Sequence, residues 1–412
     1  MDQKAPTRLR REALLDELVD LALTAGTLDR LTDKYFTNTQ LVVEANGDAE
    51  VTYAVFLRRR SIAALDAVVR LVERLVPAAR VKRFYQEGEI VPAERKMLEI
   101  SGPMSRLSAV ETLMLQKAGI PSVAANNAYE MCLAIPYAAF IDMHARHASG
   151  PEMNLLAAYG ASVGSRAARN ADPAVKGFIG SSQDLTAPFY DSDSGIGTMP
   201  HALVGYAGGD VLEATKLLAA RLPELATVTA LVDYRGLEIT DSLRTAQWFF
   251  REARLDRDGK KFGIRLDTHG GRFAEGLDYE KSVDTVGRWL GVEGEYNIVE
   301  SVLGRSAVQL DPGNILVDKV RRILFGKGVS VASTIHARKA LDEAGFEATQ
   351  IVVSSGFDPQ KCQIMGHANA PVNVIGSGSF LPATLTETYA TADIIIYNGD
   401  ARVKVGREFL LD

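Results

Sequence analysis

After residue 160 the chain settles into a rhythm that few folds can satisfy. Short apolar runs end in polar residues or glycines, and longer helical segments separate them. The runs fall at 177–181, 195–199, 228–233, 262–267, 297–300, 350–354 and 373–378. Apolar strands alternating with helices indicate parallel β/α units. Polar residues collected at the C-terminal ends of such strands mark the rim where a β/α barrel carries its active site.

The first 160 residues read differently. Residues 11–25 form an amphipathic helix, with Leu14, Leu15, Leu18 and Leu21 near helical spacing. The runs 41–45 and 51–58 flank Asn46-Gly47, a hairpin signal that predicts two paired strands. A helix over 59–76, a strand over 96–100 and helices over 105–118 and 126–146 follow, and hairpin-like strands return around Asn398-Gly399. The expected fold class is α/β plus α+β. Residues 1–160 make an N-terminal α+β domain on which 383–412 packs back, and 161–382 make the β/α barrel.

Charge narrows the partners. The 412 residues carry a net charge of −6, with no basic excess of the kind that holds nucleic acid non-specifically, so phosphate-binding residues must be few and local. No run of 18 or more apolar residues exists to span a membrane, and residues 1–11 are polar and basic, unlike a signal peptide. Cytoplasmic location is the expectation, with no nucleic-acid or membrane partner. Cys132 and Cys362 have no metal-like spacing and read as reduced core thiols.

Four segments carry a family resemblance when taken in order. They are Tyr35-Phe36-Thr37-Asn38; Glu111-Thr112-Leu113 with Arg146-His147-Ala148-Ser149-Gly150-Pro151; Gly197-Thr198-Met199-Pro200-His201-Ala202; and Leu231-Val232-Asp233, Arg265-Leu266-Asp267, Ser354-Ser355 and Gly376-Ser377-Gly378. Together they resemble the nicotinate phosphoribosyltransferases, members of the type II phosphoribosyltransferases. The resemblance spans about residues 31 to 382, and the Gly-Thr-Met-Pro-His string is its most specific part.

That resemblance implies an irregular, incomplete β/α barrel with an N-terminal α/β-sandwich domain completed by the C-terminal tail. It implies a homodimer or higher homo-oligomer with shared active sites. The implied reaction joins nicotinate to phosphoribosyl pyrophosphate, giving nicotinate mononucleotide and pyrophosphate for NAD synthesis. ATP is a co-substrate, coupled through a phosphohistidine, and Mg²⁺ is the implied metal. Breaking a C1–pyrophosphate bond on ribose needs positioning and charge stabilisation rather than a nucleophilic side chain.

Roles follow on the matching residues. Arg146 offers a guanidinium fork for the pyridine carboxylate. Tyr35 is the candidate aromatic plate, acting across a subunit interface. His201 stands at the phosphohistidine position, and imidazole can carry a phosphoryl group at neutral pH. Thr198 and Arg265 are expected to touch substrate. Asp233 and Asp267 end two strands, where carboxylates orient ribose hydroxyls or hold Mg²⁺ together with pyrophosphate oxygens. The loop Gly376-Ser377-Gly378 offers backbone N–H groups to a 5′-phosphate, with Ser354 and Ser355 completing the cradle. Each has a structural alternative: a surface arginine, a core aromatic, a hydrogen-bonded histidine, an Arg–Asp pair inside the barrel, a plain turn.

The chain departs from the family pattern at Thr268-His269-Gly270-Gly271, where a second carboxylate is missing, at Ser354-Ser355-Gly356-Phe357-Asp358 in place of an Asn-Asp pair, and at Pro200. The metal ligands are therefore not fixed by the sequence. Other readings remain at this stage, among them an unrelated β/α barrel enzyme. A second is a type II enzyme for quinolinate or nicotinamide. A third is a non-catalytic homologue that binds a nucleotide.

Overall fold

Every position from Val51 to Leu57 is buried, so this strand needs a neighbour on each side. The computed structural model, which describes residues 7–24, 26–304, 315–385 and 389–411, supplies them. Its strands are β1 (Glu50–Leu57), β2 (Ser61–Ile62), β3 (Arg80–Arg83), β4 (Ile90–Val91), β5 (Lys96–Pro103), β6 (Ala139–Asp142), β7 (Gly177–Ser181), β8 (Thr227–Leu231), β9 (Lys261–Leu266), β10 (Gln350–Val353), β11 (Val374–Ser377), β12 (Ala390–Tyr397) and β13 (Asp400–Ala401). One sheet has the order β13-β12-β1-β5-β3. Within it β1 pairs antiparallel with β12 on one side and β5 on the other, so the C-terminal tail is built into the first sheet. β12 turns into β13 at Asn398-Gly399, which is the hairpin read there.

The expected hairpin at Asn46-Gly47 is not formed. Residues Lys34–Asn46 are one helix, and Gly47 ends it at φ 99. A short apolar run such as Leu41-Val42-Val43 does not tell strand from helix, and Gly after Asn is also a helix stop. The expected helix over 59–76 begins late, at Asp66, after the two-residue β2.

The second sheet is parallel, in the order β7-β6-β11-β10-β9-β8. The first strand of this set, β6, pairs with the last, β11. The strands therefore follow the chain around the sheet, with a seam between β7 and β8, where no ladder forms among the described residues. Interior positions are buried on both faces, as in β6, β9 and β10. Two of the expected strands are something else. Residues 297–300 lie in the helix Glu295–Leu303, and 195–199 are irregular and lie at the seam, where Ile196 N–H bonds to Ser181 O at 2.6 Å. The expected helix over 126–146 contains β6, because Pro136 interrupts it.

One helix joins the two halves. Met104–Ala134 runs unbroken over 31 residues in spite of Pro121. Its Leu107, Val110 and Leu113 pack in the core of the antiparallel sheet, and its Ala125, Ala128, Met131 and Cys132 in the core of the parallel one. Cys132 and Cys362 are buried free thiols. No helix among the described residues is long and apolar enough to cross a membrane.

Candidate functional site

A cavity of about 640 Å³ opens at the seam, lined by Arg146, Gln183, Thr198, His201, Arg265 and Asp267 among others. Five of the residues singled out from sequence thus meet around one hollow. They come from three places: the loop after β6, the irregular segment at the seam, and the C-terminal end of β9.

β9 supplies the floor. Arg265 and Asp267 are two residues apart, so they share a side of the extended chain. The Arg265 side chain is only 10% exposed; its Nη1 donates to Thr198 Oγ1 at 2.6 Å and its Nη2 lies 3.9 Å from Asp267. Burial lowers the Arg265 pKa, while the charges of Asp267 and Asp233 oppose the fall. Arg265 therefore anchors the seam segment to β9, which leaves Arg146 as the less committed guanidinium.

His201 begins a short helix directly after Pro200. Its Nε2 lies 3.2 Å from both Oδ1 and Oδ2 of Asp233. The imidazole is half exposed and the carboxylate is buried. Burial raises the Asp233 pKa, the contact with His201 holds it down, and the charge of Asp267 raises it again. A carboxylate accepting from Nε2–H leaves the lone pair on Nδ1, the arrangement of an oriented nucleophilic histidine.

Arg146 is exposed in the turn Ala145–His147, with its Nε donating to His147 Nε2 at 3.3 Å. Sequence reasoning overlooked the residue that holds this turn. Asp142, at the end of β6, accepts the His144 N–H at 2.8 Å and the Tyr190 hydroxyl at 2.9 Å. Burial pushes its carboxyl up to about 6, and those two hydrogen bonds pull the other way. The signal was available: an apolar run ending in Asp, as at the other rims, was hidden inside a supposed helix. Gln183 was also overlooked; it sits past the end of β7 and accepts from Asn154 Nδ2 at 2.6 Å.

The other predicted residues lie elsewhere. Gly376 and Gly378 do not line the cavity; they let the Arg146 loop pack close. A Cβ at Gly376 would stand 2.6 Å from Met143 Sδ, and one at Gly378 would stand 2.8 Å from Met143 O. The buried Ser377 hydroxyl faces Met131 Sδ at 3.9 Å. His144 Nδ1 bonds to Gly378 O at 2.9 Å, which ties the 142–147 loop to the 376–378 loop. Ser354 is buried with no partner for its hydroxyl, and Ser355 lines a different pocket. Tyr35 is exposed and lies in a separate cavity with Tyr53, Glu111 and Tyr397 on the antiparallel domain.

No group of three or more His, Cys, Asp or Glu suited to a metal occurs among the described residues. Asp233 and Asp267 fit Mg²⁺ only in the mode where one or two carboxylates share the ion with substrate phosphates and water.

The sequence matches no protein-family model and no curated protein. Solved structures do resemble it in fold. Nicotinate-nucleotide pyrophosphorylase from Pyrococcus furiosus superposes with a TM-score of 0.64 at 21% identity, covering 95% of this chain and 79% of that one. The human nicotinic acid phosphoribosyltransferase gives 0.53 at 16%, covering 90% and 75%. NadC from Streptococcus pyogenes gives 0.53 at 14%, covering 93% and 96%. The chain shares the mixed α/β fold of these proteins.

Proposed function

We propose that the chain is a phosphoribosyltransferase of pyridine nucleotide synthesis that joins nicotinate to phosphoribosyl pyrophosphate. The observation that carries this reading is the seam cavity, lined by Arg146 and by His201, whose imidazole is held by Asp233. The fold shared with proteins named for nicotinate chemistry supports it.

In this reading Arg146 clamps the ring carboxylate in two parallel hydrogen bonds. Arg265 and Thr198 face the reacting end of the substrate, and Asp267 orients ribose hydroxyls. The phosphate tail lies toward Ser355 at the end of β10, because Gly376 and Gly378 are packed against Met143 and the Ser377 hydroxyl is buried. Asp233 or Asp267 would hold Mg²⁺ together with phosphate oxygens, and the ion would supply charge neutralisation for the leaving pyrophosphate. His201 takes the γ-phosphoryl group of ATP on Nδ1, ADP leaves, and Asp233 holds the imidazole proton on Nε2. Tyr35 lines a different cavity of the chain. It serves the site of a second subunit in a homodimer, so that the active sites are shared.

Nicotinate is favoured over quinolinate because only one of the two arginines is spare. A second ring carboxylate would need another cation, and Arg265 is already bonded to Thr198 and Asp267. The test is a comparison of nicotinate, quinolinate and nicotinamide with phosphoribosyl pyrophosphate, with and without ATP. Nicotinate alone should turn over, and faster with ATP. Turnover of quinolinate with loss of carbon dioxide, or ligand binding without turnover, would replace this reading.

A further inference from the structure

Glu238 begins the helix Glu238–Gln247, is fully buried and does not line the seam cavity. A buried carboxylate is tolerated only when it is paired and hydrogen-bonded. Its Oε1 pairs with Arg272 Nη2 at 2.5 Å and accepts from Thr268 Oγ1 at 3.0 Å, and its Oε2 accepts the Glu275 N–H at 2.9 Å. The segment after β9 is thus folded back onto the start of this helix. Glu275 completes the contact, its Oε2 accepting the N–H groups of Ile239 and Thr240 at 2.8 Å each.

The ion pair reaches the cavity through the main chain. Arg272 Nη2 also donates to Asp233 O at 2.9 Å, and Nη1 donates to Phe273 O at 3.2 Å. The Gly236 N–H donates to the same Asp233 carbonyl at 3.2 Å. Gly236, at φ 73, lies against the guanidinium, since a Cβ there would stand 3.4 Å from Arg272 Nη1. Two donors thus hold the Asp233 carbonyl, while its carboxylate is left to meet His201 Nε2 at 3.2 Å. The buried Thr268 follows Asp267 directly, so the end of β9 is tied to the same pair.

A buried ion pair adds little net stability, because desolvation offsets its attraction. Two apolar side chains of the same volume would serve the fold as well, but would give the Asp233 carbonyl no donor. What the guanidinium adds is geometry: its flat fork bonds an anion on one side and fixes a carbonyl on the other. We propose that Arg272 and Glu238 are positioning residues for the His201–Asp233 pair. The ion pair holds the main chain of Asp233, the Asp233 carboxylate holds the imidazole proton on Nε2, and Nδ1 keeps its lone pair. Neither residue touches substrate. The placement stands on the hydrogen bonds, and only its catalytic consequence rests on the phosphohistidine reading.

NMR of the full chain labelled with ¹⁵N-histidine, at one alkaline pH, reads the tautomer directly. The His201 resonances are those missing from His201→Ala, and in the wild type they should report a protonated Nε2 and a bare Nδ1. Two variants release the tether. Arg272→Met/Glu238→Gln removes the guanidinium together with the charge it paired, and the Gln oxygen still accepts from Thr268. Arg272→Lys keeps a cation beside Glu238 but not the fork. Thermal melts identify which variants fold. Each that folds should show His201 as a mixture of tautomers. Its labelling by γ-labelled ATP should slow on the order of tenfold, with the nicotinate KM within about twofold of wild type because Arg146 is untouched. A folded variant that keeps the wild-type tautomer, or an Nδ1–H tautomer in the wild type, would overturn the proposal. A tautomer that shifts as expected in a chain that ATP does not label would keep the positioning role and remove the phosphohistidine reading.

Discussion

Two arginines face the seam cavity and their neighbours give them different work. Arg146 is exposed and, among the described residues, bonds through Nε to His147, so its terminal nitrogens can meet a ligand. Arg265 is buried against Thr198 and Asp267. Truncating Arg146 removes a charged hydrogen bond worth about 1.5–3 kcal/mol, so Arg146→Ala should raise the nicotinate KM roughly ten- to a hundredfold with little change in melting temperature. Arg265→Ala should lower kcat and thermal stability together, since it frees the seam segment. Steady-state kinetics with melts distinguishes them; an unchanged nicotinate KM in Arg146→Ala removes the clamp. At His201, incubation with γ-labelled ATP should label the wild type and leave His201→Ala unlabelled. Asp233→Asn should label more slowly, because an amide orients the imidazole without stabilising its charge. Equal labelling of all three would end the phosphohistidine role. Glu111, away from the cavity, gives a pH prediction. Burial raises its carboxyl to about 8, against the Tyr53 hydrogen bond and with the charges of Asp393 and Asp33. A free Glu ionises near 4.5, so between there and about 8 the unfolded chain binds fewer protons than the folded one. Stability from this group is present below that window and is lost as pH rises through it. The melting temperature of the wild type should therefore fall more from pH 5 to pH 8 than that of Glu111→Gln; parallel curves would contradict a neutral buried Glu111.

Among the elements, the pairing of two long helices carries the most demanding fit. Pro151–Ala171 packs on Met104–Ala134 with Gly160 against the carbonyl of Pro121 and Gly164 against that of Ala125. Any Cβ at these glycines collides with backbone, which cannot swing aside as a side chain tip can. Gly164→Ala should cost about 1–3 kcal/mol or more, read as a lower denaturant midpoint; a neutral result would mean that the helices separate easily. The strands with a polar residue after an apolar run were legible, as at β8, β9 and β10, because burial on both faces imposes that pattern. The misread elements have shared physical causes. Leu41-Val42-Val43 is too short for its period to be read. Asn46-Gly47 ends a helix as well as it turns a hairpin. The run at 195–199 has the composition of a strand, but Gly195 lies so close to Gln183 that a Cβ would stand 2.9 Å from its backbone, and no ladder forms there. At the site, Arg146, Thr198, His201, Arg265 and Asp267 were legible by residue type and position. Asp142 was hidden by the helix misreading.

On the scale of the whole molecule, two cores share one helix and the seam of the parallel sheet falls where the Gly-Thr-Met-Pro-His string passes. The open seam is what makes room for a cavity: a closed ladder between β7 and β8 would fill the place of Thr198 and His201. Tyr35 lies exposed in the helix Lys34–Asn46 beside the other sheet, and the role proposed for it in a second subunit's site makes oligomeric state a test of the same proposal. Light scattering on the full chain should give a dimer or a larger even assembly; a monomer with full activity would release Tyr35 from the site. The most direct measurement is a crystal structure with nicotinate mononucleotide bound. The ring carboxylate is expected within hydrogen-bond distance of the Arg146 terminal nitrogens, with the ribose beside Asp267. A mononucleotide seated away from both would contradict the shared cavity outright.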